Sequence, residues 1–216
     1  MNIKKLIPAL ALACIAFIPA ANAQDKIVEG KAIFDLEFPT EGMDEQYKAM
    51  MPKEATIYFK EGKTRTEMDM SMMTMVNIYN DKDKTMTMLM DMMGKKTATK
   101  MDIDKIDSDK KKYTVTKTDE TTTIAGYKCY KAWVADDEGT KVEVWYTKDI
   151  VGNTTGTRQF KEIEGFMMRY EVPVANMDGN MKMQCKSVQA QKVSDDMFVI
   201  PAGYEVKSQE DLMKGK

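Results

Sequence analysis

Methionine carries the most pointed chemistry in this sequence. Of its 216 residues, 22 are methionine and none is histidine. Between Thr64 and Gly94 the methionines fall two apart: Met68, Met70 and Met72, then Met86, Met88, Met90 and Met92. Alternation of this kind sends one set of side chains to one face of a strand and Glu67, Asp69 and Ser71 to the other. A thioether is unbranched, polarisable and flexible, so such a face has three uses. It can fill an irregular core, or line a pocket whose apolar contents vary, as acyl chains do. Its sulfurs can also bind a soft cation such as Cu(I). Regular strand alternation, with Asp and Thr turned away, favours core and pocket, which are compatible, over copper.

The missing residue types narrow the chemistry further. Without histidine there is no Ser-His-Asp or Cys-His arrangement and no histidine metal site. No glycine-rich phosphate loop or dinucleotide fingerprint occurs. The 34 acidic residues lie mostly on the wet parity of strands or in turns, and no pair stands out for acid–base work. The expectation is a protein that is not an enzyme and has no cofactor and no resident metal. A near balance of 32 basic and 34 acidic side chains speaks against nucleic acid as a partner.

The first residues, MNIKKLIPALALACIAFIPAANAQ, have the anatomy of a secretory signal. Lys4 and Lys5 form the basic region, Leu6 to Pro19 the apolar run, and Ala21-Asn22-Ala23 the small-residue cleavage site. We expect residues 1–23 to be removed after Ala23 and the protein to reside in the periplasm. No further apolar run is long enough for a transmembrane helix. Export leaves Cys129 and Cys185. An oxidising compartment permits a disulfide between them, the other reading being two separately buried thiols.

The positioning elements read as strands. Residues 26–38 alternate, with Val28, Ala32, Phe34, Leu36 and Phe38 on one face. Residues 41–51 carry good helix formers before Pro52, which predicts a short amphipathic helix. Strands follow at 55–60, 64–72, 73–79 and 85–93, then a polar edge strand or loop around 97–101. Further strands fall at 113–118, 142–146, 166–172 and 181–185, and 124–129 leads into one more that ends near 135, with a helical turn near 158–163 and a short extended ending. About ten strands with short turns predict a large antiparallel sheet. A sheet that long curls, and its single apolar parity belongs on the concave side. Trp133 and Trp145 fall off that parity, which predicts packing under a loop or a contact at the rim.

Three segments bear a resemblance beyond these patterns. Ile124-Ala-Gly-Tyr-Lys-Cys129, Val142-Glu-Val-Trp-Tyr-Thr-Lys-Asp-Ile150 and Phe198-Val-Ile-Pro-Ala-Gly-Tyr-Glu205 resemble an uncharacterised family of exported proteins from Bacteroidota. That family is similar to the periplasmic lipoprotein carriers LolA and LolB. The resemblance implies a mainly β (α+β) fold, a strongly curved antiparallel sheet or incomplete barrel with one or two helices over its concave side. It implies one such domain over residues 24–207, followed by a polar tail at 208–216. The carriers place an arginine in their cavity; here Arg65 lies on the polar parity, and Arg158 and Arg169 lack an inward position.

The expected function is to hold a lipid or other apolar ligand, such as acyl chains, in a methionine-rich cavity, in the handling of envelope lipid or lipoprotein. Its lining would be Phe34, Leu36, Phe38, Met68, Met70, Met72, Met86, Met88, Met90, Phe166, Met168 and Tyr170. Envelope proteins are the other expected partners. The alternatives are a methionine-rich protein handling Cu(I) or stress, and a purely structural interaction module.

Overall fold

The computed structural model describes residues 26–103, 112–152, 158–174 and 177–208. Residues 1–23, expected to be a signal segment, and the tail beyond Ser208 lie outside these residues. Among the described residues twelve strands form one sheet: β1 (Glu29–Glu37), β2 (Glu54–Lys60), β3 (Lys63–Met70), β4 (Met73–Asn80), β5 (Thr85–Met92), β6 (Lys95–Asp102), β7 (Tyr113–Ile124), β8 (Tyr127–Asp136), β9 (Lys141–Thr147), β10 (Phe166–Pro173), β11 (Asn180–Ala190) and β12 (Glu205–Ser208). Their spatial order is β12-β6-β5-β4-β3-β2-β1-β11-β10-β9-β8-β7, so the sheet is unclosed, with edges at β12 and β7.

Most neighbours are hairpins, and several turns explain why. Glu61-Gly62, Met93-Gly94 and Ala125-Gly126 each put two successive residues at positive φ. That is the turn whose twist matches the flanking strands, with glycine second because it has no Cβ to clash. Gly30 answers a different need. A Cβ there would stand 2.5 Å from the Gln189 carbonyl oxygen and 2.9 Å from the Phe59 ring, so its absence lets Phe59 lie across β1.

The sheet is strongly curved. Met86 on β5 and Val172 on β10 line the same cleft, although β4, β3, β2, β1 and β11 run between them. In a flat sheet those strands would stand about 29 Å apart, six gaps at the usual inter-strand spacing. The concave face carries the main core. Phe59, Phe166, Phe34, Tyr170 and Phe160 follow one another in that order, with successive ring centroids 5.0–6.2 Å apart. Phe160 follows from a one-turn 3-10 helix, Arg158–Phe160, and with Ile163 it is buried against the core.

A second, smaller core lies on the convex face. Val76, Ile78, Leu89 and Ala98 pack beneath Phe198, Ile200 and Tyr204. These three belong to the C-terminal segment, which runs from a 3-10 turn at Asp195–Phe198 to β12. Asp195 bridges Lys60 and Lys63, each at 3.2 Å, and Arg65 donates to the Met197 carbonyl at 3.0 Å. The Ile-Pro-Ala-Gly-Tyr motif is therefore a clasp over the back of the methionine strands.

Four expectations need correction. The helix is shorter, α1 (Glu45–Met50), and buries no side chain. Asp44 caps it through the Gln46 amide, but with Tyr47 exposed it has no stripe to lay on the sheet. Among the described residues, the concave cover comes instead from the Phe160 turn. The segment around 97–101 is not the edge, because β12 pairs with β6 outside it, and in parallel. Met72 is not on β3 but in the Ser71-Met72 turn, 59% exposed. Finally, the alternation of Phe166, Met168 and Tyr170 is broken by a bulge between Met167 and Arg169.

Leu89 is fully sealed in the convex core, whereas Met93 is 86% exposed in its turn. Leu89→Ala should therefore cost about 2–5 kcal/mol in urea unfolding with an unchanged slope. Met93→Ala should stay within about 0.5 kcal/mol. Equal effects would contradict a second core on this face.

Candidate functional site

Register fixes which side chains share the concave face, since directly opposed residues point the same way. From β3 to β6 the rows are Met70–Met73–Met92–Lys95, Met68–Met75–Met90–Thr97, Thr66–Asn77–Met88–Thr99 and Thr64–Tyr79–Met86–Met101. Glu67, Arg65, Val76, Ile78 and Leu89 all fall on the other face. The period-two reading of the methionines thus holds on β3 and β5, Met72 excepted, and β4 adds Met73 and Met75 to it.

Depth along this face is graded. Towards β1, β10 and β11 everything is sealed: Phe34, Phe166 and Met168 have no exposed surface, and Tyr170 has 1%. Phe34, Phe166 and Met168 are therefore packing rather than lining, while Tyr170 also borders the adjoining cleft. Leu36 is buried beside them, and Phe38, one residue past β1, is half-buried against the same core. Towards β4, β5 and β6 the face opens. Met70, Met73, Met75, Met86, Met88, Met90 and Met101 are all half-buried, and Met92 is 52% exposed.

Between the two regions runs a cleft of about 190 Å³, lined by Thr64, Thr66, Met68, Asn77, Tyr79, Met86, Tyr170, Val172, Met181 and Met183. Of the residues expected from the sequence, Met68, Met86 and Tyr170 reach it. Sequence parity marked a side correctly but not a depth. The cleft's polar contributors, Thr64, Thr66 and Asn77, were missed. They occupy the same alternation as the methionines, and that was the available signal. Tyr79 turns its hydroxyl to Asp81 at 2.8 Å, which leaves its ring to the cleft.

The remaining polar groups have structural partners. Arg65 is on the convex side, bonded to Glu67 at 2.6 Å, and Arg169 meets Gln184 at 2.9 Å. The Arg158 side chain lies outside the described residues. Lys131 bridges Glu120 and Glu143 at 3.1 and 3.0 Å and stands 4.8 and 5.6 Å from the Trp133 and Trp145 rings. The Trp145 indole N–H donates to Glu143. Both tryptophans thus pack in a charge-paired patch on the convex face, off the apolar parity.

Cys129 and Cys185 are buried free thiols. Burial pushes Cys129 up to about 11 and Cys185 up to about 12, against an ordinary value of 9.0. Both thiols therefore stay protonated where an unfolded chain would begin to ionise. The folded state binds more protons above pH 9, so its stability should hold below that point and fall as pH rises towards 11 and 12. A thiol reagent at pH 8 should label neither cysteine until denaturant is added, as read by mass spectrometry. Rapid labelling of the native chain would contradict the sealed half of the face.

No curated protein matches this chain. Among solved structures, the crystal structure of MucB is similar at 10% identity and a TM-score of 0.34, over 83% of this chain and 59% of that one. The chain thus spans under two thirds of MucB's length. The family model for DUF4412, a domain of unknown function, matches residues 43–161, more than half of the chain, and the protein belongs to that family.

Proposed function

We infer that this is a non-enzymatic binding protein that takes up a flexible apolar ligand, such as an acyl chain, along its open methionine face. One observation carries this reading: the apolar parity continues past the sealed core into a half-exposed strip of thioethers bordering a cleft of about 190 Å³. A contiguous exposed apolar strip needs a reason in a soluble fold, and ligand contact is a common one. Methionine side chains repack at little cost, so the strip tolerates variable contents. The threonines and Asn77 at its border offer hydroxyl and amide groups to a ligand's polar end.

Residues 1–23, read as a secretory signal, support a periplasmic setting, where a lipid or lipoprotein would need shelter from water. That setting agrees with the resemblance to lipoprotein carriers. It does not extend to their mechanism, since Arg65 and Arg169 are engaged on the outer side.

Delipidated protein should bind a fluorescent long-chain fatty acid saturably. Met88→Asp, which puts a charge in the strip, should weaken that binding about tenfold or more, equivalent to about 1.4 kcal/mol. Met93→Asp, in an exposed turn, should leave it unchanged. Absence of saturable binding, or equal effects of the two variants, would overturn the reading.

A further inference from the structure

We propose that two rows on the open face, Met70–Met73–Met92 and Met68–Met75–Met90, form a site for a soft monovalent cation, Cu(I) or its redox-silent analogue Ag(I). Each row places three methionines directly opposite one another on β3, β4 and β5. Opposed Cβ atoms stand about 5 Å apart, so a row spans about 10 Å. Each sulfur lies two bonds beyond its Cβ. The outer two need only lean over the central one to bring three sulfurs around one ion at about 2.3 Å. The inward curvature of the sheet tilts the side chains in that direction.

The other methionines of the face lack this arrangement. Met88 sits between Asn77 and Thr99, and Met86 has Tyr79 on one side. On β3, β4 and β5 the two rows hold no hard donor, and they continue on β6 to Lys95 and Thr97. Asp69 and Asp91 lie on the opposite face, where Asp69 accepts from Thr74 at 2.9 Å and Asp91 from the Gly94 amide at 2.9 Å. A site of neutral thioethers alone discriminates against Ca²⁺, Mg²⁺ and Zn²⁺ and favours Cu(I) and Ag(I). Access is graded, with Met68 7% exposed at the floor and Met92 52% at the mouth.

Thioethers carry no proton to lose, so binding should not depend on pH between about 5 and 8, unlike binding to thiols or imidazoles. The test titrates silver nitrate into the full chain in chloride-free buffer, with a thioether competitor, followed by native mass spectrometry. Met73→Leu, Met75→Leu and Met90→Leu combined keep the side-chain volume and lose the sulfur. We expect this variant to keep its thermal melting profile. Its silver affinity should fall by more than about 100-fold, beyond what losing a mere supporting partner costs. Met72→Leu with Met93→Leu, outside the rows, should leave silver affinity unchanged. Undiminished silver binding in the triple variant would overturn the proposal. So would affinity that rises with pH and vanishes in Cys129→Ser with Cys185→Ser, which would assign the ion to the thiols. Loss of fatty-acid binding by wild type alone would instead count against the ligand reading and leave the cation site standing.

Discussion

A twelve-stranded sheet with one continuous apolar face has to hide that face from water, and it has few helices to do so. Curling is the available solution, because twist accumulates along the sheet and brings distant strands towards each other. Here the curl brings β10 over β1 and β2, where the Phe34, Phe59, Phe166 and Tyr170 rings fill the interior. It does not carry β4, β5 and β6 into the same contact. The structure therefore divides into a sealed half and an open half that share one parity.

The open half is held in shape from behind. Its convex face is closed by the C-terminal segment through Phe198, Ile200 and Tyr204, with Asp195 between Lys60 and Lys63. Those ion pairs are exposed, so they register the segment more than they stabilise it; the apolar contact supplies the stability. The consequence is a rigid strip whose front is free to be methionine. Stability drawn from the back leaves the front available for adaptable contacts, where a filled core would have demanded branched, well-fitting side chains.

How far this could be read in advance follows from what alternation encodes. Period two specifies the side of a strand, so strand placement and shared face were legible. Depth was not, because it depends on which strands curl together: Phe34 and Met75 share a face, but only one is sealed. A single extra residue at Met168 breaks a pattern that looked continuous. The parallel β12–β6 pair is made by backbone groups of a polar segment, Glu205–Ser208, which carries no side-chain signature. Met72 fell in a turn for a similar reason, as two hairpin residues can interrupt an alternation without disturbing its spelling.

The functional reading thus depends on a difference in depth between methionines that the alternation alone makes equivalent. Carbon-13 labelling of the methionine methyl groups, with a soluble gadolinium chelate added, measures that depth in solution. The account predicts strong broadening for Met73, Met75, Met88 and Met90, and near-silence for Met167, Met168 and Met183. Uniform broadening of all of them, or protection of the first group, would contradict a sheet that is sealed on one half and open on the other.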